Sequence, residues 1–180
     1  DAEDSWTVDS IPPSVAIAPV APNPRAASVT SISITFSEPI AGFDLAGAAF
    51  PADHTCGDYY DFVPFADGRV GIAVGDVSGH GFGPALIMAE TRAYLRSLSR
   101  TSSDLGQILR RLNRLLCHDT GDERFVTLMV ALLDPARRSL AYSSAGHIDG
   151  YVLDRAGATR QVLRSTGAPL GIFEDGEFPS

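Results

Sequence analysis

The pattern of apolar and polar positions divides the chain near residue 42. Before that point Pro12, Pro13, Pro19, Pro22 and Pro24 interrupt any helix, and small residues fill the gaps between them. Only Ser31-Ile32-Ser33-Ile34-Thr35-Phe36 alternates with a strand's period of two. Residues 1–42 therefore read as a proline-rich lead-in with one strand, and residues 43–180 as the folded domain. In the latter, Asp58 to Phe65 and Arg69 to Val77 read as strands joined through Ala66-Asp67-Gly68. The glycine-rich loop Ser78-Gly79-His80-Gly81-Phe82-Gly83 then runs into a helix over 84–99, with Pro84 in its first turn. Its expected apolar stripe is Leu86, Ala89 and Ala93 beside Ile87, Tyr94 and Leu98.

A second helix over 104–118 has Asp104 as N-cap and Gln107 three residues on. Leu105, Ile108, Leu109, Leu112, Leu115 and Leu116 give it the clearest helical period in the chain. Phe125 to Leu133 is nearly all apolar and predicts a buried strand. After a turn at Asp134-Pro135-Ala136-Arg137, Ser139 to Ser144 and Tyr151 to Asp154 read as further strands. Strands, two helices, then strands predict an α+β fold with antiparallel pairing.

The first hairpin carries the chemistry. A two-residue Asp67-Gly68 turn would set Asp61 against Val74. A three-residue loop ending at Gly68 instead pairs Phe62 with Ile72, Tyr60 with Val74, and Asp58 with Asp76. The second register puts apolar groups opposite apolar groups and uses Gly68 where positive φ is needed. It also sets two aspartates face to face, and like charges across a ladder repel. A proton or a divalent cation held by carboxylate oxygens would relieve the repulsion. So would one aspartate turning to solvent while the other caps the loop.

Composition narrows the partners. The formal net charge is −8, which disfavours nucleic acid or anionic lipid as the main partner. No apolar run approaches the length of a membrane span, and the first residues lack a signal peptide's basic and apolar regions. Two cysteines are too few for a disulfide framework, so a cytoplasmic setting is expected.

Gly57-Asp58-Tyr59-Tyr60-Asp61-Phe62, followed by Gly75-Asp76-Val77-Ser78-Gly79-His80-Gly81, resembles the paired signature of the SpoIIE/RsbU-type serine phosphatases. These are a bacterial branch of the PPM metal-dependent phosphatases. Ser144-Ala145-Gly146-His147 and Gly167-Ala168-Pro169-Leu170-Gly171 resemble later stretches of the family in order and spacing. The resemblance implies a β-sandwich flanked by helices, holding two Mn²⁺ or Mg²⁺ ions. Asp76 matches the bridging aspartate, the Val77 carbonyl a further ligand, and Asp58 the acidic residue serving the first ion's water shell. A metal-activated water would attack phosphoserine or phosphothreonine directly. The substrate implied is a phosphorylated regulatory protein of the anti-anti-sigma type. The two helices match a regulatory switch region, through which the protein would also dimerise.

Around this frame, Gly79 and Gly81 are candidates for receiving phosphate at a helix start. His80 either donates a proton to the leaving group or packs the loop. Asp61 and Gly57 are read as structural support, and His147 as structural. The chain departs from the family at Cys56, where glycine is usual. It also ends before two later aspartate motifs, so it is expected to be the N-terminal two-thirds of the domain and weakly active by itself. The rival reading is a phosphatase-like module that binds a partner without hydrolysis. Gly79-x-Gly81-x-Gly83 does not fit a dinucleotide site, because Pro84 stands where glycine or alanine is required. His54, Cys56, Cys117 and His118 have zinc-ligand types but lie in two distant halves of the sequence.

Overall fold

The computed structural model describes residues 57–120, 124–134, 137, 139–154 and 156–180, with Gly47 and the segments 15–17 and 34–36. The chain forms two units, Asp1–Ala46 and Gly47–Ser180. In the first, β1 (Val15–Ile17) pairs antiparallel with β2 (Ile34–Phe36). The strand expected at 31–36 thus has a partner that the prolines had hidden. The other positions of the lead-in, along with His54 and Cys56, lie outside the described residues.

The second unit is built on a four-stranded antiparallel sheet in the order β3-β4-β5-β6, comprising Tyr59–Pro64, Val70–Val77, Val126–Asp134 and Ser139–Ala145. Tyr60 pairs with Val74 and Phe62 with Ile72, the register of the three-residue loop. Gly68 has φ 82° at the loop's third position, which a side chain would adopt only under strain. β5 runs between β4 and β6 and is buried along almost its whole length, as its continuous apolar run requires.

Two helices cover one sheet face, α1 (Phe82–Leu98) and α2 (Leu105–Thr120). Asp104 caps α2: its Oδ1 accepts from the Gln107 amide at 2.9 Å, and the Gln107 side chain donates back at 3.0 Å. Leu105, Ile108, Leu109, Leu112 and Leu116 are buried in one core with Val63, Ala73, Val130 and Leu132 from the sheet. Leu115 stays on the outside.

For α1 the expected stripe holds in one half, since Ile87, Tyr94 and Leu98 pack partly buried against the core, and is corrected in the other. Pro84, Met88, Thr91 and Leu95 face the core, while Leu86 is 61% exposed and Ala89 and Ala93 face solvent. The helix is apolar on nearly every side, so period alone did not select a face. Its orientation follows from Arg92, Arg96 and Ser99, which reach polar partners on β3.

A second small sheet pairs β7 (Gly150–Leu153) with β8 (Thr159–Leu163). It lies against the opposite face of the main sheet, where a Cβ on Gly150 would sit 3.1 Å from Met129 Sδ. The Thr159-Arg160-Gln161-Val162-Leu163 run has no alternation, which is why β8 is absent from the expectation. The C-terminal segment returns to the main sheet: Leu170 exchanges backbone hydrogen bonds with Val126 at 2.8 and 2.9 Å, and Phe178 is buried.

Candidate metal and phosphate site

The site lies where β3 begins and β4 ends. The ladder runs from Pro64 opposite Val70 to Tyr59 opposite Gly75, so the next step places Asp58 against Asp76. The two carboxyls sense each other. Burial raises the Asp76 pKa, the charge of Asp58 raises it further, and a hydrogen bond from the Val77 amide opposes both. Asp61 pairs with Ala73 on the helix side, away from Asp58 and Asp76. Gly57 fits closely against the end of β4, since a Cβ there would lie 2.7 Å from the Val77 carbonyl oxygen and 2.9 Å from its nitrogen.

Across the sheet, Asp76 pairs with Thr127. Thr127 Oγ1 donates weakly to the Asp76 carbonyl at 3.4 Å and lies 2.9 Å from His147 Nδ1. Burial lowers the His147 pKa, and the nearby Asp58 charge partly restores it. His147 therefore stands beside the carboxylate pair. Sequence pattern alone did not bring it there, because the contact depends on β5 and β6 lying side by side.

The loop after Val77 is held by two bonds to Phe125: the Ser78 amide donates to the Phe125 carbonyl at 2.9 Å, and Ser78 Oγ accepts from the Phe125 amide at 3.0 Å. Gly79 and Gly81 adopt φ 96° and 88°. Gly81 is the N-cap of α1, with no side-chain cap and no acidic residue in the first turn. Among the described residues no side chain caps the first amides of α1, an arrangement that suits an outside acceptor. His80 is exposed in this loop. The Arg124 guanidinium occupies the space a Cβ on Gly83 would fill, setting a cation at the same helix start. No sequence motif had pointed to Arg124.

Among the described residues, no three side chains of His, Cys, Asp and Glu gather into a metal cage. Two opposed carboxylates and a neighbouring carbonyl still suit Mg²⁺ or Mn²⁺, cations that accept few protein oxygens and keep several waters. A cation there would offset both causes that raise the Asp76 pKa, its burial and the Asp58 charge.

A family model described as Stage II sporulation protein E (SpoIIE) matches residues 66–180. The chain belongs to the SpoIIE family. It is 31% identical over 135 residues to the phosphoserine phosphatase RsbU of Bacillus subtilis, covering 75% of this chain and 40% of that protein. To the phosphoserine phosphatase RsbP of the same organism it is 33% identical over 128 residues, covering 69% and 32%. The chain thus spans well under half the length of these relatives. Among solved structures it is similar to the RsbU and RsbW domains of Rv1364c from Mycobacterium tuberculosis, with TM-score 0.60 and 28% identity over 70% of this chain and 36% of that one. It is likewise similar to the SiaA-PP2C domain of Pseudomonas aeruginosa, with TM-score 0.59 and 27% identity over 71% and 50%. The mixed helix and antiparallel-sheet architecture is therefore that of part of a PP2C-type domain. Among the described residues no helix is long and apolar enough to cross a membrane.

Proposed function

We propose that this domain belongs to a Mn²⁺- or Mg²⁺-dependent phosphatase that removes phosphate from serine or threonine on a bacterial regulatory protein of the anti-anti-sigma type. The observation that carries the reading is the approach of Asp58 to Asp76 beside the uncapped start of α1. The phosphoserine phosphatase relatives support the reaction class. In this reading Asp58, Asp76 and the Val77 carbonyl hold the cations, two in the complete domain. Bound there, such cations lower the pKa of a water and offset negative charge on the phosphoryl oxygens.

The remaining roles fall to the chain's own groups. The loop at Gly79 and Gly81 and the α1 amides receive the phosphoryl oxygens. Arg124 adds positive charge at the same place. His80, in the exposed loop, supplies a proton to the departing serine oxygen. Gly57 keeps the backbone of β4 close. The domain works in the cytoplasm and dimerises through α1 and α2, whose outer groove presents Leu98 and Leu115.

A direct test is hydrolysis of a phosphoserine peptide by the full-length chain with Mn²⁺, with and without chelator. Turnover that needs Mn²⁺ and falls at least about a hundredfold in Asp76→Asn supports the proposal. Turnover indifferent to both contradicts it. One observation favours the alternative, a partner-binding module without hydrolysis: the described residues hold no three-ligand cage. Binding of the phosphorylated partner with no turnover under any metal would select that reading.

A further inference from the structure

Sheet and helices meet through an apolar core, with one polar seam between β3 and α1. At its centre Asp61 is only 11% exposed and accepts four hydrogen bonds. Arg96 donates two of them in a fork, Nε to Oδ2 and Nη2 to Oδ1, each at 2.6 Å. Arg92 Nε adds a third at 3.2 Å and the Tyr59 hydroxyl a fourth at 2.9 Å. Further along the seam the Ala66 amide donates to the Ser99 carbonyl at 3.3 Å.

Apolar packing tolerates sliding, whereas a two-pronged guanidinium–carboxylate contact fixes both distance and rotation. The position of this contact matters because of what each partner carries. Asp61 stands three residues from Asp58 on the strand that opens the site. Arg96 stands on the helix that follows Asp76, Val77 and the glycine loop. α1 is therefore tied to one carboxylate strand through the chain and to the other through Arg96.

We propose that Asp61 is a positioning residue. By holding Arg96 and Arg92 it sets α1, and with it the loop at 78–81, against the Asp58 end of β3, so that the two halves of the cation and phosphate site keep their separation. This rests on the phosphatase reading above. Displacing such a site without removing a ligand lowers the rate more than it weakens substrate binding.

The test uses the full-length chain with Arg96→Lys, which keeps the charge and loses the fork, and Asp61→Asn, which loses the charge. Three quantities are read: Mn²⁺ affinity by titration followed by electron paramagnetic resonance, amide exchange across residues 88–98, and kcat and KM on a phosphoserine peptide. The expected result for both variants is Mn²⁺ affinity weaker by about fivefold or more, faster exchange in α1, and kcat down about tenfold with KM within about twofold. Wild-type Mn²⁺ affinity in a folded Arg96→Lys protein overturns the proposal, whatever its stability. If the wild-type chain neither takes up Mn²⁺ nor turns over, the phosphatase reading falls separately. Exchange rates then decide for the seam, and unchanged rates in both variants overturn it.

Discussion

Two neighbouring carboxylates repel unless a proton or a cation stands between them, and the Asp76 pKa is raised by burial first and by the Asp58 charge second. The sign of its effect on folding follows. A carboxyl whose folded pKa lies above the unfolded one favours the folded state in its protonated form. Stability is therefore lost as pH rises from about 3.9 through the raised value, and the deficit is complete above it. Asp76→Asn removes the deficit. At neutral pH without metal its melting temperature is expected to rise by about 1–2 °C, with no gain at pH 3, while any rise on adding Mn²⁺ disappears. Calorimetry at the two pH values with and without Mn²⁺ checks this. Asp61 runs the other way. Arg96 first, then Tyr59 and Arg92, hold its pKa down against burial, so its stabilisation is present at neutral pH and lost as pH falls below about 4. Because Arg96 is partly exposed, Asp61→Asn is expected to destabilise by about 1–2 kcal/mol at pH 7 in a urea melt, and by much less near pH 3. At this scale the hairpin register that carries Asp58 toward Asp76 was legible from Gly68 and the apolar alternation. His147 and Arg124 were not, since each reaches the site only through strands and loops distant in sequence.

Among the elements, α2 shows what a strong periodic signal delivers and α1 what a weak one misses. The leucines of α2 differ sharply from its polar side, and all but Leu115 are buried as expected. Leu112→Ala, at a site with no exposure, is expected to lose about 2–5 kcal/mol in chemical denaturation. Asp104→Ala removes the cap and about 1 kcal/mol. The face of α1 was instead set by Arg92, Arg96 and Ser99 finding partners on β3, a long-range preference that no local window contains. Asn113 is a third case: a buried amide on α2 that donates to the carbonyls of Phe173 and Glu174 and accepts from the Gly171 amide at 2.9 Å. A polar residue amid leucines signals a buried tie, but the loop it fastens, sixty residues on, is not encoded locally. Asn113→Leu strands those backbone groups, with an expected loss of about 1–3 kcal/mol and faster amide exchange at residues 171–176.

For the molecule as a whole, the fold class and the order of elements were legible because the four motifs follow one another along a regular antiparallel pattern. β8 and the partner strand of the lead-in were not, as neither carries alternation of its own. The central claim is that Asp58 and Asp76, brought together at one end of the sheet, take up a divalent cation. The most direct measurement is Mn²⁺ titration of the full-length protein and of its Asp58→Asn and Asp76→Asn variants at one ionic strength. The account predicts saturable uptake by the wild type, lost in Asp76→Asn and weakened in Asp58→Asn. Equal uptake by all three proteins, or none by the wild type, would contradict it.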